Sequence, residues 1–468
     1  MIRYARRTKT NACLIFPDFI HSITALGLTQ AGRASANRVR TLLTLLPLLI
    51  MLLSAHCVIG PQDEPTLPIS QRQTINLAAG VPEYIGDATS TSNAPQSQWW
   101  FENTNNSTTY STPGLVESSD KSAPWKQVGL PYDANIPRTF INQTSGGGQG
   151  SLTGNYNWYR LHFKVDPKYT GQKFLLNIEG SHTGVQVFIN GTLLPGISSV
   201  AADAQATHVV GFVPVICDLT PYIHADGVTD NVIAIDVSRG APWYEQPNFS
   251  GAFRFGQAMA GLFRNVYLYV TNPVHIPQNV YSNQKTWGTY VGTVSEVPAA
   301  EGTSTAASAV VDVQTNVVNE SGTAQQVTLT TQIVDARGKV VVTAPPITQT
   351  VPAMTANTFP AGAAPMFDQK ITIQNPTLWY PNNSIYGKPY LYKVYHIVSV
   401  NGVVVDSAQS TLGIRTITWD ANFPYFNGHA TYLWGGSSRY DYPGLGSSVP
   451  DEQWWRDMAQ IAAQGGNV

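Results

Sequence analysis

The chain is 468 residues long, 43 % hydrophobic and only 12 % charged, with a formal net charge of -2. That length holds roughly two to four domains and more than one buried core, and no basic stripe lies beyond the N-terminus, which excludes nucleic acid as a partner. Of the three cysteines, Cys13 and Cys57 lie in or before a leader and Cys217 sits in the apolar "GFVPVICDLT". No internal disulfide framework follows, and Cys217 reads as a small core residue.

Residues 1–57 carry the leader. In "RVRTLLTLLPLLIMLLSA" the basic Arg38 and Arg40 precede an uncharged run from Thr41 to Ala55, too short for a comfortable membrane span and suited to the apolar core of a signal peptide. Because Met1 to Ala36 come first, either translation starts further along or the segment is a signal anchor. Cys57 offers a lipid acceptor, but His56 stands where a small residue is expected. Both routes predict export, secreted or periplasmic, with membrane contact through the leader alone. Residues 58–74 form a Pro-rich polar linker, and ordered sequence is expected from about Ile75.

From there the pattern is strands. "WYRLHFKV" (158–165) and "KFLLNIEG" (173–180) alternate apolar and polar positions as half-buried strands do. "VQVFINGTLL" sets Asn190-Gly191 between apolar runs, a type I′ hairpin signal. "NVIAIDVS" and "NVYLYVT" add two more strands, and helical periodicity is nearly absent, so residues 75–272 read as a sandwich of antiparallel sheets. Residues 273–415 repeat the theme in "AVVDVQTNVVN", "QQVTLTTQIVDARGKVVV", "FDQKITIQ" and "YLYKVYHIVSVNGVVVDSA", with hairpin tips at "ARGK" and "VNGV". This is the pattern of an immunoglobulin-like sandwich without the Cys pair of antibody domains. The low-complexity "EVPAAEGTSTAASA" near its start is a loop.

The character changes at Trp419. "YFNGHATYLWGG" reads as a hairpin and a buried strand, "SSRYDYPGLGSS" as a loop, and "DEQWWRDMAQIAAQGG" as a helix with Trp455, Met458 and Ala462 on one face and a stop at Gly465-Gly466. With "NV" opening another strand, residues 416–468 make the first unit of a β/α repeat.

In this order the motifs resemble glycoside hydrolase family 2, the family of bacterial β-galactosidases, β-glucuronidases and β-mannosidases. "WKQVGLPYDA" is similar to the family's Trp followed by a Leu-Pro-His-Asp turn, with Tyr132 in place of His. "YNWYRLHFKV", "VQVFINGTLL", "CDLTPYI", "NVIAIDVS" and "AGLFRNVYL" resemble its jelly-roll sugar-binding domain. "NPTLWYPNNSIYGKPYLYKV" and "LGIRTI" resemble the end of its immunoglobulin-like domain, and "FNGHATYLWGGSSRYDYPGLG" the start of its catalytic barrel. The resemblance covers about Trp99 to Val468 and implies a mainly β chain: a jelly roll, an immunoglobulin-like β-sandwich, then the first strand-helix unit of a (β/α)8 barrel.

The resemblance places Arg439 and Asp441 at the C-terminal end of the first barrel strand, the face where such barrels hold their chemistry. Arg439 would donate a fork of hydrogen bonds to sugar hydroxyls or to a catalytic carboxylate, lowering that carboxylate's pKa, and Asp441 would accept from a hydroxyl. Ser438 and Tyr440 stand where the family has Asn and His, and Tyr440 takes the place of that His beside the substrate. Spacing alone also admits a surface Arg–Asp pair that orders the loop. The family's reaction needs two carboxyl groups about 5 Å apart in retaining enzymes. They lie on later strands of a barrel of roughly 250 residues, so hydrolysis by these 468 residues alone is not expected.

Glu179, at a strand end, is read as pairing with a backbone turn or a neighbouring Arg, and Asp133 as a turn former. Neither has a second carboxylate near it in sequence. The histidines are scattered, with no His-Glu-x-x-His, Cys-x-x-Cys or calcium-type loop, so no metal site or cofactor is predicted. "SGGGQG" (145–150) lacks the Lys-Ser/Thr of a phosphate cradle. Trp99, Trp100, Trp243 and Tyr244 either pack the sandwiches or meet a sugar ring, and a loop Trp at 243 is the candidate for the pocket wall. The expected function is hydrolysis of a terminal β-glycoside, with galactoside the leading sugar. The alternative is a secreted carbohydrate-binding or adhesion module without catalysis. The apolar face of a lone β/α unit is expected to be poorly anchored, giving a proteolytic product ending near 415.

Overall fold

The computed structural model describes residues 72–77, 81–82, 84–85, 96–104, 110–120, 123–134, 156–181, 184–195, 213–238, 261–278, 288–299, 302–354, 366–437, 442 and 445–468. The leader, the glycine loop and Trp243, Tyr244, Arg439, Tyr440 and Asp441 lie outside the described residues.

The first sandwich is built from β1 (Gln73–Asn76), β2 (Trp99–Thr104), β3 (Lys126–Val128), β4 (Tyr156–Val165), β5 (Lys173–Ile178), β6 (Gly184–Ile189), β7 (Thr192–Leu193), β8 (Val215–Asp218), β9 (Asn231–Ser238) and β10 (Val266–Thr271). One sheet has the order β1-β10-β5-β8. The other runs β7-β6-β9-β4-β2-β3, with Tyr84–Ile85 parallel to β4. Their inner faces meet through Trp99, Phe101, Tyr159, Leu161, Phe163, Leu176, Ile178, Ile233, Ile235 and Leu268, all buried. Cys217 lies in this core, and burial pushes its thiol pKa far up. Trp99 is also a core residue, its indole Nε1–H donating to the Leu77 carbonyl at 2.8 Å.

The outer face of the larger sheet is not left to solvent, as alternation alone would have it. Residues 110–120 and 123–125 fold over it, and Tyr110, Trp125, Trp158 and Phe188 form a second apolar layer. Arg160, fully buried there, donates to Glu117 and to the Tyr110 carbonyl, and to the Thr112 carbonyl at 3.1 Å. A guanidinium is tolerated because its fork of donors is met.

The second sandwich packs β11 (Thr289–Glu296), β12 (Ser308–Thr315) and β16 (Phe367–Gln374) against β13 (Gln325–Val334), β14 (Val340–Thr343), β15 (Ile347–Val351), β17 (Tyr392–Val400) and β18 (Val403–Leu412). β16 shows strict inward–outward alternation, with Phe367, Ile371 and Ile373 inside. The hairpin tips form as the dipeptides predict: Asn190 and Gly191 take φ of 49° and 84°, Asn401 and Gly402 of 51° and 78°. Both residues of such a turn need positive φ, which Asn and Gly reach at least strain.

Ion pairs join the two sandwiches. Arg72, just ahead of β1, donates to Asp406 of β18 through Nε at 3.0 Å and Nη2 at 2.5 Å, and the Ile276 amide donates to the same carboxylate at 2.7 Å. Lys173 of β5 bridges Asp218 and, across the junction, Glu320 at 3.0 Å.

The last residues form a hairpin of β19 (Ile417–Trp419), β20 (Pro424–Phe426) and β21 (His429–Ala430), then α1 (Asp451–Ala463). Asn427 fastens the hairpin to the second sandwich: its Oδ1 accepts from the Thr416 amide and its Nδ2 donates to the Trp379 carbonyl, both at 3.0 Å. Asn382 of the sandwich donates to the carbonyls of Ala462 and Gly466 at the end of α1. Asn467 returns beside residues 432–434, exchanging bonds of 2.9 and 3.0 Å with the Trp434 backbone. The expected helix is present, but the strands expected on either side of it are not. Residues 431–437 form no strand and are not buried: Tyr432 is 79 % and Trp434 63 % exposed. At the start of this segment the Thr431 amide donates to the Pro424 carbonyl of β20 at 2.9 Å, and further along Asn467 is the backbone neighbour. No helix among the described residues is long and apolar enough to cross a membrane.

Candidate functional site

Where the first sandwich meets the start of α1, a cavity of about 260 Å³ is lined by Glu179, Phe263, Arg264, Asn265, Ser447, Asp451 and Trp454, with Pro131 and Val449 at its edges. The sandwich supplies one wall because β5 and β10 are neighbours and end together: the Glu179 amide donates to the Asn265 carbonyl at 3.1 Å. Gly180 lets the wall close. A Cβ there would lie 2.9 Å from Arg264 Cδ and 3.0 Å from Phe263 Cζ, inside normal contact distance.

The opposite wall is residues 447–449 and the first turn of α1. Asp133, buried, holds it: one carboxylate oxygen accepts from the Ser447 amide at 3.1 Å and its hydroxyl at 2.8 Å. Asp133 was expected to shape its own turn; it ties two parts of the chain 314 residues apart instead. Asn265 makes a second tie, its Nδ2 donating to Asp451 Oδ2 at 3.1 Å.

Two carboxylates unrelated in sequence therefore face one cavity. Burial raises the pKa of Glu179, the negative charge of Asp451 raises it further, and Arg264 and a hydrogen bond with Asn265 act the other way. The guanidinium of Arg264 acts on Glu179 through its charge without forming an ion pair with it, and Asp451 is the carboxylate that sequence distance concealed. The set offers acceptors in Glu179, Asp451 and the Ser447 hydroxyl oxygen, a fork of donors in Arg264, and an aromatic face in Trp454. Such a set has the chemistry to hold a polyhydroxyl ring. Asp451 opens a helix, a position reached from its own sequence only as helix start, and Trp454 was read as part of that helix and nothing more. The signal available beforehand was Gly180 after a strand-end carboxylate, a sign of close approach. The predicted Arg439, Asp441, Tyr440 and Trp243 cannot be placed in this cavity or away from it, since they lie outside the described residues. Among the described residues no group of three metal-ligating side chains converges.

The family profile described as Glycosyl hydrolases family 2 matches residues 296–415. A β-glucuronidase of Formosa agariphila is 31 % identical over 345 residues, covering 72 % of this chain and 31 % of that protein. The β-galactosidase BoGH2A of Bacteroides ovatus is 30 % identical over 342 residues, covering 72 % and 33 %. Among solved structures, a β-glucuronidase from glycoside hydrolase family 2 superposes with a TM-score of 0.60 at 26 % identity, over 82 % of this chain and 35 % of that one. Two β-sandwiches followed by a hairpin and a helix agree with the β-rich fold of these relatives. The chain belongs to glycosyl hydrolase family 2. It spans about a third of the length of the curated relatives it matches.

Proposed function

We propose that this chain is part of an exported β-glycosidase of family 2, acting on a terminal β-galactoside, and that its first sandwich supplies a wall of the sugar site. The same reading divides it at about residues 272 and 415 into a sugar-binding jelly roll, an immunoglobulin-like sandwich and the opening of the catalytic barrel, behind a signal-type leader at 1–57. The observation that carries the reading is the cavity in which Glu179 and Asp451 converge with Arg264, Asn265 and Trp454. Relatives bear the names of both β-glucuronidases and β-galactosidases. Two carboxylates against one guanidinium leave the cavity with an excess of negative charge. That repels the carboxylate of a uronic acid and supports the neutral sugar.

The test is binding of methyl β-galactoside and methyl β-glucuronide to the chain, followed by titration calorimetry. The galactoside is expected to bind more tightly, and Glu179→Gln to weaken it about tenfold or more, as for loss of a charge-assisted hydrogen bond of ~1.5–3 kcal/mol. Tighter glucuronide binding, or an indifferent Glu179→Gln, refutes the assignment. The non-catalytic alternative, a carbohydrate-binding module, is separated by assaying the complete protein for release of p-nitrophenol from its β-galactoside.

A further inference from the structure

The outer face of the four-stranded sheet in the first sandwich carries an aromatic pair that its core does not use. Along β10 the inward Val266, Leu268 and Val270 are buried, while Tyr267 and Tyr269 point outward, half-buried, with ring centroids 6.3 Å apart and planes 20° from parallel. Their cross-strand neighbours on that face are polar or small: Asn76 and Asn177 beside Tyr267, Thr74 beside Tyr269, with Leu175 as the one large apolar side chain. Tyr269 rests in part on a small apolar patch of Leu175 and Ile216 and its hydroxyl accepts from Asn177 Nδ2 at 3.3 Å, while both rings remain partly exposed.

The pair runs from the neighbourhood of one cavity into another. Tyr267 stands two residues after Asn265, which lines the cavity described above, and burial together with the charges of Glu179 and Asp451 pushes its hydroxyl up to about 12. Tyr269 lines a second cavity of about 350 Å³ where the two sandwiches meet, with Thr74, Gln278, Thr289, Ser407 and Gln409. This volume falls within the range of about 300–1,000 Å³ in which small-molecule sites occur. The single charged side chain in its lining is Arg72, and Asp406 neutralises it. The lining therefore recognises neither an anion nor a cation. Hydroxyls, amides and one aromatic face, beside the apolar Ile276, Pro277 and Ala408, suit a neutral sugar. The same ion pair holds the two walls in fixed relation, so the cavity exists before any ligand arrives. From Asn265 in the first cavity to Tyr269 in the second, four residues of extended strand span about 13 Å.

We propose that Tyr267 and Tyr269 form a saccharide track joining the two cavities, which holds the sugar units of an oligosaccharide beyond the unit seated at Glu179. The track rests on the reading of the Glu179 cavity as a sugar site. It adds a preference for chains over single sugars and assigns the cavity between the sandwiches to the far end of the ligand.

Titration calorimetry of the 468-residue chain with galactose and with β-1,4-galactotetraose tests it. The tetraose is expected to bind at least tenfold more tightly than galactose. Tyr269→Ala should abolish that advantage and Tyr269→Phe, which keeps the ring face, should retain it. Tyr269→Leu keeps apolar volume without the aromatic face and serves if the alanine variant fails to fold. Equal affinity for the two sugars, no binding of either, or an undiminished tetraose advantage in a folded Tyr269→Leu protein overturns the proposal. Glu179→Gln separates the two readings. If galactose binding is untouched by it while the tetraose still depends on Tyr269, the track stands and the Glu179 assignment fails. If galactose binding falls and the tetraose advantage ignores Tyr269, the track alone fails.

Discussion

His396 sits at the centre of the second sandwich, fully buried between Thr315 Oγ1, 2.8 Å from Nδ1, and Ser410 Oγ, 3.1 Å from Nε2. Burial alone pushes its pKa down to about 3 from a usual 6.5. The imidazole is therefore neutral in the folded protein throughout the range in which the unfolded chain takes up a proton. The unfolded state binds more protons between pH 6.5 and 3, and stability falls as the pH drops through 6.5. At pH 5.0 the loss is 1.5 pH units at ~1.36 kcal/mol each, about 2 kcal/mol. Other groups move with pH as well: Asp236, pushed up to about 8 by burial, stabilises the fold on acidification over the same interval. The measurement is therefore a difference. Urea unfolding of the wild type and of His396→Gln at pH 7.5 and 5.0 should show the acid-induced change in stability to be about 2 kcal/mol less destabilising in the variant. Identical pH dependence in the two proteins would falsify the account of a neutral buried histidine.

Other substitutions test the remaining joints. Asp406→Ala leaves Arg72 and the Ile276 amide without their shared acceptor and is expected to lower stability by about 3–5 kcal/mol in urea unfolding. Gly261→Ala places a methyl 2.0 Å from the Tyr159 hydroxyl at a φ of 85°; strain and overpacking together should lower stability by at least about 2 kcal/mol, and a variant that melts with the wild type would contradict the packing described. Asp133→Ala releases Ser447, so limited proteolysis read by mass spectrometry should show faster cleavage between residues 431 and 450, with the hairpin up to Ala430 still protected by Asn427. For His162, burial acts to lower the pKa, but hydrogen bonds to Asp230 and Glu117 outweigh it and raise it to about 9. Its contribution is complete below pH 6.5 and disappears as the pH rises through 9, so His162→Gln should lose stability at pH 6 and little at pH 10.

Much of the fold was legible because its signals are local. Asn190-Gly191 and Asn401-Gly402 announce their turns by the φ values they permit, and Phe367 to Gln374 announces its faces by strict alternation. Arg160 broke the pattern because the cover over its sheet comes from residues 110–120, a segment without periodicity of its own. The candidate site was legible only in fragments for the same reason. Glu179 meets Arg264, Asn265 and Asp451 through tertiary closure, and no spacing rule links position 179 to position 451. Asp133 looked like a turn residue because its partner, Ser447, is 314 positions away. Order of motifs could place the chain in a family; which side chains share a cavity is decided by packing.

The Arg72–Asp406 pair also sets a timetable. Arg72 leaves the ribosome 334 residues before its partner is made, an interval of about 17–70 s at roughly 5–20 residues per second. During that time the first sandwich can assemble its own sheets, but the edge strand β1 lacks its anchor and the guanidinium remains in water. Closing the pair then ends synthesis of the second sandwich with a step that seals both. A chain interrupted anywhere before β18 would carry a first sandwich with its own core but with β1 unanchored to the second sandwich and Arg72 still in water.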